Sequence, residues 1–349
     1  MNKPKDSLRP QKNSQNGSEP GGGEKSIGLA LGSGGARGLA HIGVINALRE
    51  EKIAIDYIAG SSIGALIGAS LASDDIRQLQ EFVLKLNWKV MASYVDFVFP
   101  QKGLMEGSRV RDLIDELLPI KKFTGLSKPF IAVATNIRTG EEIDLDEGDL
   151  IDAIRASISL PGIMNPHRVG NEYLVDGGLV NPVPVDVVRR MGADVVLAVD
   201  LNNDLISRNG RKKKVFRTRR KLKARAETAE EVETPKPAWV PKPLEDRYRL
   251  LEQSVKKSIS DWLEDEPEDQ QREPNIFDVM VNSINIMEYQ VTQSNLRKFP
   301  PDVLIKPKLG HLNLFDYDEA EATIREGYEL TMHHMDHIKR LISLPEKQQ

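Results

Sequence analysis

Gly60-Ser61-Ser62-Ile63-Gly64 holds a hydroxyl between two glycines, a pattern with a chemical use. Ile53 to Ala59 before it is mostly apolar and β-branched, which predicts a buried strand. Ala65 to Leu71 after it is small and helix-compatible. Strand, G-x-S-x-G and helix together are the setting of a nucleophile elbow. Gly60 and Gly64 keep the turn free of bulk, so the Ser62 hydroxyl is lifted to the rim of a sheet at a helix N-terminus. There, free amides and the helix dipole favour developing negative charge. The same five residues also suit a plain turn that packs a strand on a helix, so the motif alone is only a hypothesis.

Two further stretches narrow the choice. Ser26 to Leu31 reads as a buried strand that runs into Gly32-Ser33-Gly34-Gly35-Ala36-Arg37-Gly38. Leu39 to Glu50 then has helical periodicity through Leu39, Ile42, Ile45 and Leu48. A Gly-rich turn between strand and helix offers unpaired backbone N–H groups to an anion. A dinucleotide pyrophosphate is disfavoured, because Ser33 and Arg37 break every G-x-G-x-x-G frame. A nucleotide phosphate is disfavoured by the lack of a G-K-[ST] ending. The oxyanion of an acyl-transfer intermediate remains, and it alone also uses Ser62. Arg37 either fixes the loop, adds charge near the site, or lies in a surface salt bridge.

The third stretch is Asp176-Gly177-Gly178, which follows a short strand, Glu172 to Val175. An acid on a tight turn with little bulk around it can be approached closely by a second catalytic group. The plainer account is an Asp that accepts backbone bonds in its own turn. A carboxylate is also an awkward base, since an ordinary Asp titrates near roughly 3.9. Burial or direct contact with the serine must offset that. His311 follows the last predicted strand, so Ser62, Asp176 and His311 also stand in the chain order of a triad.

The totals set limits. With 349 residues and a net charge of −4, the chain fits one large α/β domain or two smaller ones. It has no cysteine, which excludes disulfides, Cys–zinc sites and thiol catalysis. No H-E-x-x-H pattern occurs; His333, His334 and His337 cluster on a late helix, where a solvated face explains them as well as a metal does. No metal and no cofactor is expected. Met1 to Lys25 is polar, lacks the apolar core of a secretory leader, and predicts a disordered tail. No run approaches about 18 apolar residues, so no transmembrane helix is expected. The expected location is cytoplasmic, soluble or peripheral at the inner face of the membrane.

The remaining elements must position these three stretches. Asp74 to Lys85 reads as a helix opened by Ser73, and Ser108 to Leu118 as another. Between them, Lys85 to Met105 concentrates Trp88, Tyr94, Phe97 and Phe99, which suits either core cover or an apolar lip that admits acyl chains. Phe130 to Thr135 is a strand with Glu141 to Leu145 pairing near it; Gly148 to Ser159 is a helix. A helix to Met191 and a parallel-type strand over Asp194 to Asp200 follow.

Gly34-Gly35-Ala36-Arg37-Gly38, Gly60-Ser61-Ser62-Ile63-Gly64 and Asp176-Gly177-Gly178, in that order, resemble the patatin-like phospholipase family, in the manner of its bacterial neuropathy-target-esterase-type members. The likeness covers about Ile27 to Asp200. It implies an α/β, three-layer fold with a central, mostly parallel sheet flanked by helices. It implies a Ser62–Asp176 dyad, an oxyanion hole from the loop of Gly34, Gly35 and Arg37, and a lipid ester substrate. Gly38, Gly60, Gly64, Gly177 and Gly178 are the motif glycines it carries. Ser33 departs from it, standing where many members have glycine. A regulatory or scaffold protein of the same fold, with turnover secondary, is the alternative from another class.

Composition changes after Asp200. Arg208 to Arg225 has 11 Lys or Arg among 18 residues, Thr234 to Pro243 is Pro-rich, and Asp261 to Glu273 is acidic. We expect residues 201–274 to be a charged, disordered insertion in one domain that spans 26–200 and 275–349. Its basic block suits a solvated linker or peripheral contact with anionic lipid. Nucleic acid is not expected, since the block lacks a base-reading module. Asn275 to Lys298 predicts an amphipathic helix with an apolar stripe through Ile276, Val279, Met280, Ile284, Met287 and Val291. Val303 to Lys306 is a last strand and Asp318 to Ile342 a terminal helix.

Overall fold

Continuous apolar strands need cover on both faces, and here they get it. The computed structural model describes residues 25–86, 106–205 and 276–343. The tail through Glu24, the aromatic residues from Trp88 to Phe99 and the basic block lie outside the described residues. Eight strands form one sheet: β1 (Ile27–Leu31), β2 (Tyr57–Ser61), β3 (Phe130–Asn136), β4 (Glu142–Leu145), β5 (His167–Val169), β6 (Glu172–Asp176), β7 (Val195–Val199) and β8 (Val303–Ile305). Their order is β5-β6-β3-β2-β1-β7-β8, with β4 paired to part of β3. The run from β3 to β8 is parallel; β4 and β6 are antiparallel to β3, and β5 to β6.

Alternation along the strands sorts their side chains into two layers. Leu29, Leu31, Ile58, Leu197 and Val199 point into the larger core. That core is closed by helices α1 (Ala40–Glu50), α2 (Ile63–Ala72), α3 (Ile76–Val83), α4 (Ser108–Leu117), α5 (Leu150–Ser157) and α8 (Ala320–Ser343). Ala30, Ala59, Val133, Val196 and Ala198 point the other way, against Val185, Val187 and Val188 of helix α6 (Val185–Met191). Helix α7 (Ile276–Lys298) covers the rest of that side, with Leu296 packed against the smaller core. This is the expected three-layer, mostly parallel arrangement. No helix among the described residues is long and apolar enough to cross a membrane.

Three local expectations change. Ser73 does not open a helix: its hydroxyl donates to Ala69 O (2.8 Å) in the last turn of α2, and α3 starts after Asp75. The folded domain also extends past Asp200, because Leu201 and Asn202 are buried. The stripe predicted for α7 packs only in part. Ile284 is buried and Met280 and Val291 are half-buried, but Ile276, Val279 and Met287 are exposed, and Val281, Glu288 and Thr292 join the buried face instead. The packed face carries polar groups, which an apolar periodicity cannot register.

Helices α1 and α8 touch backbone to backbone. A Cβ on Gly43 would strike the Ile324 carbonyl, and one on Gly327 would strike the carbonyl of Ala40. Gly43→Ala should therefore destabilise the protein by about 1–3 kcal/mol, the usual scale of overpacking. Urea unfolding tests this: the midpoint should drop with the slope unchanged. An unmoved midpoint would mean the two helices separate freely.

Candidate active site

Ser62 stands between β2 and α2 with φ of 56°, a left-handed conformation uncommon for a residue with a side chain. Neighbours hold it there. Its N–H donates to Ser157 Oγ (3.0 Å), and Ser157 Oγ donates to the Val133 carbonyl (2.6 Å). A Cβ on Gly60 would strike the Gly64 carbonyl, and one on Gly64 the Leu31 carbonyl. Both glycines of the motif are thus required by close approach. Ser61 points inward, fully buried and without a partner for its hydroxyl, so only Ser62 is presented.

Asp176 ends β6. It reaches Ser62 because β3 lies between β2 and β6, with Val133 opposite Ser61 and Ala134 opposite Asp176. The Asp176 N–H donates to Ser159 O (3.0 Å), and its carbonyl accepts from Thr135 Oγ1 (2.7 Å). With the backbone fixed, Oδ1 accepts from the Gly178 N–H (2.8 Å) and Oδ2 from Ser62 Oγ (2.6 Å). So the carboxylate makes its own turn bond and the bond to the serine at once. Asp176 is 1% exposed. Burial first, then the nearby Glu288 carboxyl, raise its pKa to about 7, against the opposing effect of the bonds from Ser62 and Gly178.

The Gly-rich loop meets the same point from β1. Ser33 N–H donates to Pro182 O (2.8 Å) and Ala36 N–H to Leu314 O (2.9 Å). The Gly34 and Gly35 N–H groups between them have no acceptor among the described residues. Arg37, in the 3-10 turn Gly35–Leu39, is buried, so the surface salt bridge is ruled out. Its Nε donates to the Gly34 carbonyl (3.0 Å) and its Nη2 to Asn285 Oδ1 (3.3 Å), which fixes the loop.

No histidine hydrogen-bonds to Ser62 or Asp176 among the described residues. His311 is exposed in the turn after β8. His167 pairs with Asp152 at 3.1 Å. His41 is buried under the loop, with Nε2 2.8 Å from the Gly32 carbonyl, and burial pushes its pKa down to about 4. His333, His334 and His337 lie on α8, and no group of three or more metal-ligating side chains occurs among the described residues.

Sequence reasoning missed Ser157, Asn202, Asn285 and Glu288. Glu288 is buried on α7, where its Oε2 accepts from Ser33 Oγ (3.1 Å) and Asn202 Nδ2 (2.9 Å). The one signal was a lone Glu at helical spacing from Ile284 and Val281.

A doubly covered, mostly parallel sheet thus sets a serine on a strand-to-helix turn against a buried aspartate, the local setting of a nucleophile elbow. Residues 29–189 match the family model of patatin-like phospholipases. An uncharacterized NTE family protein of Mycobacterium tuberculosis is 38% identical over 176 residues, half of this chain and 49% of that one. Patatin-like phospholipase domain-containing protein 7 of Mus musculus is 34% identical over 185 residues, 51% of this chain and 14% of that one. The chain thus spans at most about half the length of these curated relatives. VipD from Legionella pneumophila aligns in structure with a TM-score of 0.41 and 14% identity, over 93% of this chain and 72% of that one.

The raised pKa of Asp176 has a consequence for stability. Its folded value of about 7 exceeds the unfolded value of about 3.9. Its contribution is therefore fully present below the unfolded pKa and lost as pH rises through the folded one. Asp176→Asn should gain stability relative to the parent between about pH 4 and pH 7. Unfolding curves measured at several pH values check this; a constant difference would mean that Asp176 titrates normally.

Proposed function

We propose that the protein is a serine acyl hydrolase that cleaves carboxylic esters of lipids, phospholipid or lysophospholipid, through a Ser62–Asp176 dyad. The observation that carries this reading is the 2.6 Å bond from the Ser62 hydroxyl to a carboxylate buried from water. The family match supports the lipid ester as substrate.

In the proposed reaction Ser62 Oγ attacks the ester carbonyl as Asp176 Oδ2 takes its proton. The carbonyl oxygen becomes an oxyanion beside the free N–H groups of Gly34 and Gly35. One such donor typically contributes about 3 kcal/mol. The intermediate collapses, Asp176 returns the proton to the leaving alcohol, and the acyl group stays on Ser62. Water then attacks the acyl-serine with Asp176 as base, and loss of the fatty acid restores the hydroxyl. A carboxyl that titrates near 7 is a far better base than an ordinary Asp and is still ionised in part at neutral pH. The basic block Arg208 to Arg225 supports a second element, peripheral contact with anionic lipid, at about 1 kcal/mol per cation near the surface.

Ser62→Ala should abolish hydrolysis of p-nitrophenyl acyl esters with circular dichroism unchanged. Asp176→Asn should lower it by about 10²–10⁴-fold, while His311→Ala leaves it nearly intact. Near-normal turnover in Asp176→Asn together with loss in His311→Ala would falsify the dyad. For the membrane contact, the full chain should bind anionic vesicles, and more weakly as salt is added. Equal binding to neutral vesicles would count against the basic block.

A further inference from the structure

Glu288 has no role in the reaction as written, yet it sits beside the base. A Cβ on Gly178 would strike Glu288 Oε1 and would lie 3.1 Å from Asp176 Oδ1, so the two carboxyl groups face one another across Gly178. The other oxygen, Oε2, is occupied by Ser33 and Asn202. Ser33 heads the loop whose Gly34 and Gly35 amides are free, and Asn202 follows the C-terminal end of β7. One turn earlier on the same helix, Asn285 accepts from Arg37. A single face of α7 therefore holds both the loop and the surroundings of Asp176.

We infer that Glu288 is a positioning residue of the dyad: through Ser33 and Asn202 it fixes the oxyanion loop, and its negative charge, held across Gly178, makes Asp176 a stronger base. The inference rests on the proposed role of Asp176. The charged groups in the neighbourhood are consistent with it. Arg37 faces Glu288 from the loop and favours its ionised form, as do the bonds from Ser33 and Asn202, against the larger effect of burial. Asp204 and Asp316 also favour the charged form of Arg37, against the larger effect of burial. The charge that raises Asp176 is that of Glu288. A carboxylate held beside a second carboxyl disfavours ionisation of that second group, so an ionised Glu288 makes Asp176 hold a proton more readily.

The test is the pH dependence of Ser62 labelling by a fluorophosphonate, followed by mass spectrometry of the labelled peptide in the full chain. The labelling rate should fall below about pH 7 as Asp176 is protonated. In Glu288→Gln the midpoint of that limb should move down by about one pH unit, with a slower plateau, because the base is weaker. Glu288→Asp keeps the charge and should return the midpoint toward that of the parent. If the Gln variant does not fold, Asn202→Ala serves: it withdraws a hydrogen bond from the ionised Glu288 and should move the midpoint the same way by a smaller step. A slower rate with an unmoved midpoint in whichever of these variants folds means that Glu288 only packs, and overturns the inference while the dyad stands. Absence of labelling at Ser62 in the parent overturns the dyad, and this inference with it.

Discussion

A serine hydroxyl held 2.6 Å from a buried carboxylate is the contact on which the rest of this structure depends. The two groups come from strands that are not neighbours. β3 separates them, and the register of β2 and β6 on β3 sets their spacing. A slip of one residue in either pairing would turn the side chain to the other face of the sheet. Burial opposes that slip: Ile58 of β2 is committed to the larger core and Ala59 to the smaller, while Leu174 of β6 packs with Ala134 and Ala156 in a third cluster. Fold stability and site geometry are in this sense the same property.

Burial has two opposite effects here. It removes the solvation that would keep Asp176 acidic, which is what suits it to the proposed role of base. It also makes every polar group around it costly unless it is bonded. The structure meets that demand with short chains of hydrogen bonds: Val133 to Ser157 to the Ser62 amide, Thr135 and Ser159 to the Asp176 backbone, Arg37 to the Gly34 carbonyl. Among the described residues the Ser61 hydroxyl and the amides of Gly34 and Gly35 are exceptions, and unbonded amide donors are what an oxyanion requires.

Helix α7 shows how a remote segment is tied to the site. It follows the long charged stretch in sequence, yet its inward face bears Asn285, Glu288, Thr292 and Asn295 beside Val281 and Ile284. Asn295 donates to the Val180 carbonyl just beyond the Asp176 turn (3.2 Å), and Glu288 meets the Ser33 hydroxyl. The Ser33 hydroxyl also accepts from Asn202 (3.3 Å), so α7 and the residues after β7 hold the head of the loop together.

The sequence by itself determined most of the strands and the candidate serine and acid; it set the strand before Ser62 at Ile53 to Ala59 where the structure has Tyr57–Ser61, and it missed β5. β-branched runs, two glycines around Ser62 and an Asp before Gly177-Gly178 are local signals, set by steric limits that act within a few residues. The family resemblance then named the pairing of Ser62 with Asp176, which no spacing in the chain could give, because 114 positions separate them. The tertiary structure decided what depends on neighbours distant in sequence. It turned Arg37 from a candidate surface cation into a buried brace for the loop, and left His311 exposed in its turn. It turned α7 so that Glu288 and Thr292 are buried beside Ile284 while Ile276, Val279 and Met287 are exposed, which its hydrophobic periodicity does not predict. Periodicity reads only the transfer of apolar surface. It is blind to a glutamate whose burial is stabilised by hydrogen bonds and by an arginine from 251 positions away, and those partners exist only once the sheet has formed.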